Sequence, residues 1–340
     1  MAPGFLVLPR FSTRNRLVLI LLTITAGAAA CGGAASAPAK PRPAASHTPA
    51  PTPTPSRLAP ALVQIENTPE SRPRSGLQRA DFVYEYLTEG GITRFTAVYL
   101  QPAGPSRIEP VRSTRLVTLR LRQSYGGVIF HSGASNHVID LVYSHNLPFV
   151  DENRDGGRYF SRDRSRPAPH NLFTTQDQLL QGLHAANLHV SYPPLPRAEP
   201  ALPGEVANHL SFEQTPFHHV DYAYSAPERA YLYGDNYGPE VDTDTGGAQI
   251  RVTNVVLVQV PHHGAGYTED VLGAEGIDFN LAGSGPADVF TRGSHYAATW
   301  DLSNPDRPLR ILTPEGRAMS LPPGLTWIHL VDPGMPKAFS

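Results

Sequence analysis

Nine polar residues in the first half of the chain have the types and spacing to build one site: Glu85, Glu89, Arg94, Arg112, Arg115, His131, Ser132, Arg166 and His170. The segment His131-Ser-Gly-Ala-Ser135 follows an apolar run, Gly126-Gly-Val-Ile-Phe130, and precedes a stretch with helical spacing of apolar residues. A glycine-bearing turn that opens a helix presents backbone N–H groups at the positive end of the helix dipole, where anions bind. Arginines close by would complete a site for a carboxylate or phosphate through forked, charge-assisted hydrogen bonds. The expectation is an anionic-ligand pocket that recognises a cell-wall fragment or a peptide carboxylate. The competing expectation is purely structural: Ser132 or Ser135 caps a helix, and the arginines pair with Glu85 and Glu89.

Catalysis is the alternative use of the same residues. Paired carboxylates at a defined separation hydrolyse glycosidic bonds, and Glu85 and Glu89 lie around one expected hairpin. Either of them with His131 would suit a cell-wall-active hydrolase or transferase. Other chemistries lack their residues. There is no Gly-x-Ser-x-Gly nucleophile elbow, and Gly283-Ser-Gly-Pro286 reads as a β-turn. The only lysines are Lys40 and Lys337, so Schiff-base and Ser-Lys chemistry has nothing to use in the folded part. His218-His219 and His262-His263 suggest metal binding, but neighbours on a strand point to opposite faces. His131 and His137 do not have the spacing of a zinc-binding helix. Asp242-Thr-Asp-Thr-Gly-Gly247 lacks the closing glutamate of a calcium loop and reads as a surface loop. No catalytic residue, metal or cofactor is assigned, and the chain leans away from being an enzyme.

Several elements must position these residues. Leu62–Ile65 reads as a short strand. Phe82–Leu87 and Ile92–Leu100, rich in aromatic and β-branched residues, flank Thr88-Glu-Gly-Gly91 as a hairpin. Apolar spacing predicts an amphipathic helix over Arg112–Gln123, a buried strand over Gly126–Phe130 and a helix around Val138–Val142. Thr175 and Gln178 have capping-box spacing ahead of a helix over Gln176–Asn187. Beyond about residue 190 long helical periodicity is absent. Val252–Val260 reads as a strand, Thr291-Arg-Gly-Ser294 as a turn, and Arg310–Leu321 as two strands joined at Glu315-Gly316. Asp278–Trp300 reads as alternating segments broken by turns, and Trp300 and Trp327 lie in expected strands as core residues, the alternative being exposed rings that stack on sugars. The fold class is therefore α+β: an N-terminal mixed α/β domain followed by a mostly β C-terminal domain.

Upstream, Arg10, Arg14 and Arg16 precede an apolar run from Leu17 to Ala30 that ends at Cys31, the only cysteine. The run is shorter than the roughly 20 residues a spanning helix needs and suits an export signal. Small residues before Cys31 and Gly32-Gly33 after it fit a lipobox, in which the thiol receives a diacylglycerol; the alternative is a plain Ala28-Ala29-Ala30 cleavage site that leaves the thiol free. Residues 32–60 form a Pro/Ala/Thr-rich disordered tether, extended at about 3.1 Å per residue. The expected layout is a signal peptide over 1–31, this tether, a mixed domain over 61–192, a proline-rich linker over 193–204 and a β domain over 205–332. Residues 1–60 hold six basic side chains and no acidic one, which leaves 22 basic against 30 acidic in the remainder. An acidic folded part disfavours nucleic acid and anionic lipid as main partners. The expected location is extracytoplasmic, with membrane contact through the lipid on Cys31 and an envelope protein or wall fragment as partner.

Several blocks, in order, resemble one family. Gly76-Leu-Gln-Arg-Ala-Asp-Phe-Val-Tyr-Glu85, Glu89-Gly-Gly-Ile-Thr-Arg-Phe95, Pro110-Val-Arg-Ser113, Phe130-His-Ser-Gly133 and Ser165-Arg-Pro-Ala-Pro-His-Asn-Leu172 are similar to the YerB-like lipoproteins. Asn254-Val-Val256, Gly283-Ser-Gly285, Thr299-Trp300 and Pro323-Gly-Leu-Thr-Trp-Ile328 resemble that family's C-terminal domain. Glu109 and Leu325 depart from its pattern. The resemblance implies a two-domain envelope lipoprotein and no established biochemical activity.

Overall fold

The computed structural model describes residues 56–102, 104–192, 196–200 and 204–340. The export-signal segment, Cys31 and the tether up to residue 55 lie outside the described residues. The longer strands of the first half are β1 (Ala61–Glu66), β2 (Phe82–Leu87), β3 (Thr93–Tyr99), β4 (Val128–His131) and β5 (Phe149–Asp151). Those of the second half that enter the two large sheets are β6 (His209–Thr215), β7 (His218–Ser225), β8 (Ala230–Asp235), β9 (Asn254–Gln259), β10 (Gly283–Thr291), β11 (Ser294–Leu302), β12 (Arg310–Leu312), β13 (Thr326–Val331) and β14 (Lys337–Phe339), while His262–Thr268 and Glu275–Phe279 pair as a separate two-stranded ribbon. Among the described residues three helices exceed two turns: α1 (Leu116–Tyr125), α2 (Asn136–Ser144) and α3 (Gln176–Ala186). All three lie in the first half, as the α+β reading expects.

A central sheet joins the two halves. Its order is β11, β10, β9, β13, β2, β3, β1, β4, β5, with Glu205–Val206 beyond β11 and β12 also paired to β11. The seam is parallel: β13 runs beside β2, with Ile328 opposite Tyr84 and His329 opposite Glu85. β13 runs parallel to β9 on its other side. Because side chains alternate along a strand, the sheet has two apolar faces. Val83, Phe95, Leu257 and Trp327 look toward a second sheet of β8, β7, β6 and β14, meeting Phe212, Val220, Tyr222 and Tyr233. Phe82, Tyr84, Val256 and Ile328 look the other way, toward α1 and the segment around Ile311. The core therefore draws on both halves of the chain.

Local chemistry explains where elements begin and end. The helix expected from Arg112 starts only at Leu116. Ahead of it, Arg112 N–H bonds to the Gln64 carbonyl (3.0 Å) and Thr114 N–H to the Gly133 carbonyl (3.0 Å), so this segment is held extended along the sheet. Gly126, at φ 60°, ends α1 in the left-handed conformation glycine adopts cheaply. The capping box of α3 is complete, with Thr175 Oγ1 accepting from the Gln178 N–H. Thr175→Ala should lower unfolding free energy by about 1 kcal/mol, read from the urea midpoint.

Two expectations in the second half need correcting. Gly283-Ser-Gly-Pro286 is not a turn but the start of β10, with Pro286 opposite Thr299. The pairing of β10 with β9 ends at Ala287, so the missing N–H of Pro286 leaves no gap in that ladder. Gly285 lets the Trp300 indole lie over the strand, for a Cβ there would stand 2.8 Å from Trp300 Nε1. Of the two strands expected over Arg310–Leu321 only β12 forms, and Ala318 returns to Leu312 as a single bridge. Thr291–Ser294 is the expected turn, with Arg292 and Gly293 both at positive φ.

Candidate functional site

Glu85 does not sit with the other eight residues. Its place on β2 turns it toward the second sheet, where it is wholly buried. Oε1 accepts from Thr93 Oγ1 (2.8 Å) and Asn67 Nδ2 (3.2 Å), and lies 2.6 Å from His218 Nε2. Oε2 accepts from Trp327 Nε1 (2.9 Å) and Tyr233 hydroxyl (3.4 Å). Burial alone would push the carboxyl up, but the His218 charge and these donors outweigh it and hold it at about 2. The same pair raises His218 despite its burial. His329, 3.5 Å from Oε2, is pushed down to about 4 by burial. Its neutral ring is gripped from both sides, Nδ1 to Gln214 Oε1 (2.7 Å) and Nε2 to the Tyr222 hydroxyl (2.8 Å). Glu85 was expected to pair with an arginine. Arg94, instead, is adjacent to Glu85's cross-strand partner Phe95 on β3 and so points to the other face.

The remaining residues, all but Arg166, gather at the far end of β1 and β4, around the start of α2. Arg115 forks onto Glu89, with Nε to Oε2 at 2.8 Å and NH2 on Oε1, and approaches Glu269 at 3.3 Å. Arg94 donates to the Ser113 carbonyl (2.9 Å) and lies 4.0 Å from Glu89. Burial and the neighbouring Arg115 and Arg112 charges pull its guanidinium down to about 10. Glu66 takes both Arg112 (3.3 Å) and His170 (2.8 Å). Three guanidiniums thus face three carboxylates, and Glu269 comes from the second half. Its carboxyl is raised by burial.

The loop after β4 is likewise satisfied from within. Ser132 Oγ donates to Glu152 (3.1 Å) and Gly133 N–H to Asp151 (2.9 Å), while Ser135 caps α2 by accepting from Val138 N–H (3.4 Å). His131 is buried, its Nδ1 against the Gly133 carbonyl (2.9 Å), and burial pushes its pKa down. Arg166 stands apart: it donates to the carbonyls of Ser71 (2.7 Å) and Pro73 (3.0 Å) and approaches Glu109 at 3.6 Å. The departure at Glu109 thus gives Arg166 and Arg107 a carboxylate. Arg112, Ser132 and His170 of the cluster keep partly exposed polar side chains, as Glu89 does to a smaller extent. No three His, Cys, Asp or Glu side chains converge as a metal site among the described residues.

Sequence reasoning missed the acids that lock the halves together. Asp242, expected on a surface loop, is buried: it accepts from Gly76 N–H (2.9 Å), Gln78 N–H (2.7 Å) and Asp244 N–H (2.8 Å). Burial raises its carboxyl. Glu240 holds Arg74 (2.6 Å) and Arg72 (2.7 Å) close by. From the sequence His218 reads only as half of a metal pair, whereas in the fold it is the charge partner of Glu85. One signal for Glu85 was present: Phe82-Val-Tyr-Glu-Tyr-Leu87 has no polar face, so any carboxylate in it must be buried.

Comparison with known proteins agrees with this architecture. Residues 48–189 match the N-terminal domain, and residues 209–328 the C-terminal domain, of a family described as a protein of unknown function, DUF3048. The chain is 28% identical over 280 residues to a Bacillus subtilis (strain 168) protein named "Putative lipoprotein YerB", covering 80% of this chain and 81% of that protein. It superposes on the crystal structure of the YerB protein from Bacillus subtilis with a TM-score of 0.72 at 26% identity, over 83% of this chain and 93% of the other. With both halves matched in order and the same fold across them, the chain belongs to the YerB-like family of two-domain proteins of unknown function.

Proposed function

We propose that this chain is a cell-envelope lipoprotein that binds a ligand or partner and does not catalyse. The observation that carries the reading is the state of the two carboxylates on which a hydrolase would depend. Glu85 has no exposed surface and five donors around it; Glu89 is forked by Arg115. A general acid or nucleophile must reach its substrate, and neither carboxylate can without dismantling its own partners. Anchoring through diacylglycerol on Cys31 follows the lipobox reading, and the kinship to a protein named as a lipoprotein supports it. Radioactive fatty acid fed to expressing cells should label the wild-type protein and not Cys31→Ser.

On the first half, the contact surface would be the rim formed by Arg112, Ser132 and His170. An incoming carboxylate could exchange there with Glu66 on Arg112. The full chain is incubated with polymeric wall, wall peptides and lipid, with Glu89→Gln alongside. The expected result is no turnover, and a Glu89→Gln chain weakened in stability through the stranded Arg115. Turnover that Glu89→Gln abolishes while the fold is kept would overturn the reading.

A further inference from the structure

The opposite face of the central sheet from Glu85 holds a cavity of about 620 Å³. Its floor is Phe82 and Tyr84 of β2, Val256 of β9 and Ile328 of β13, and its walls include Ile311 and Leu321. The gap arises because two separate covers share this face. On one side Tyr192 and Pro196 line it, and Tyr125 at the end of α1 holds the floor in place through its hydroxyl, which meets that of Tyr84 (2.9 Å). The arch of chain from residue 304 to 321 borders the other. A space this size falls within the range of about 300–1,000 Å³ typical of ligand sites. An apolar lining holds water poorly, so its occupant needs an apolar body.

The mouth carries the opposite character. Arg197, Arg307 and Arg310 line it with one carboxylate, Asp301. Arg310 is paired with Asp301. Arg197 lies over the Phe82 ring, 5.3 Å from its centroid, and donates to the Pro322 carbonyl (3.4 Å). Neither Arg197 nor Arg307 has a carboxylate within 4.0 Å among the described residues, although the Arg197 charge reaches the half-buried Asp81 carboxyl and opposes the rise that burial gives it. The acidic balance of the folded part makes a surplus of arginine at one mouth more telling. The geometry points to a binding site for a single-chain anionic amphiphile, its chain along Tyr84 and Ile328 and its carboxylate or phosphate between Arg197 and Arg307. This rests on the reading of the protein as a binder, and it places the ligand on another face from the first-half cluster.

The test uses the full chain in phosphatidylcholine vesicles with three clickable diazirine probes of equal chain length: a fatty acid, a lysophosphatidic acid and the fatty alcohol. The expected result is label on cavity-lining residues from one or both acids, roughly tenfold above the alcohol, as charge-assisted hydrogen bonds imply. Which acid labels more identifies the source of the headgroup. Ala318→Trp, at the exposed rim, should block all label, and Arg197→Glu with Arg307→Glu should bring the acids down to the alcohol. Label scattered over the surface, equal label from acid and alcohol, or label that falls as protein concentration rises because a second copy fills the cavity would each overturn the proposal. Failure here with no probe converted leaves the non-catalytic reading standing; recovery of a cleaved or transferred probe sinks that reading instead.

Discussion

Replacing Glu85 with alanine should lower the unfolding free energy by about 3–5 kcal/mol, the usual effect of breaking a buried ion pair from one side. Domains of this kind have only about 5–15 kcal/mol in hand, so the urea midpoint should fall by roughly a fifth or more. The size of the effect comes from what stays behind. His218, raised by its partner, would be left as a buried ring with no counter-charge. Trp327 Nε1, Thr93 Oγ1 and the Tyr233 hydroxyl would each lose an acceptor, whereas Asn67 Nδ2 keeps Thr93 Oγ1, and an orphaned buried donor costs about 1–3 kcal/mol. This also separates the site from an isolated salt bridge. Substituting both Glu85 and His218 by apolar residues removes the charge problem but not the three orphans, so the double variant should recover only part of the loss. Glu85→Gln keeps one oxygen to accept from Trp327 and should fall between wild type and alanine. Equilibrium unfolding of the four proteins measures it, and a Glu85→Ala chain within about 1 kcal/mol of wild type would show that the cluster contributes little.

The contrast between the two glutamates shows where sequence reading stops. What depends on near neighbours was legible: the β2–β3 hairpin, the capping box of α3, the turn at Arg292-Gly293, and burial of Trp300 and Trp327. Strand alternation even required that His218 and His219 face opposite ways, though not that His218 is the inward one. What depends on the seam between the halves was not. β13 joins β2 from more than 240 positions along the chain, and only that pairing puts His329 and Trp327 beside Glu85. Glu269 and Asp242 reach first-half partners for the same reason. The proline-rich run over 193–204 marks a change of composition, yet strands on both sides of it share one sheet. Periodicity describes each strand's faces; it carries no information about which distant strand lies alongside.

The buried histidines make stability depend on pH in two directions. His329 titrates at about 4 in the folded chain against about 6.5 when unfolded. Between those values the unfolded chain binds the extra proton, so stability falls as pH drops, by about 3 kcal/mol over the interval. Glu85 adds a lower step: its carboxyl is held at about 2 against 4.5, so its contribution is complete above 4.5 and is lost as pH falls toward 2. His218 has the opposite sign. Its raised value means that its contribution is complete below about 6.5 and disappears as pH rises through the folded value. Asp235 and Arg74 also act on His218, one favouring and one opposing its charge. The cluster should therefore be most stabilising around the ordinary histidine range. Many other carboxylates titrate along the acid limb, so the informative quantity is the difference between wild type and His329→Gln, whose amide can still serve Gln214 and Tyr222. That difference should shift against wild type as pH falls from 6.5 to 4, because only wild type carries a ring that must charge when it is released. A flat difference would mean that His329 is not held neutral, and with it would go the account of Glu85 as a carboxylate paired to His218 alone, with His329 serving Gln214 and Tyr222.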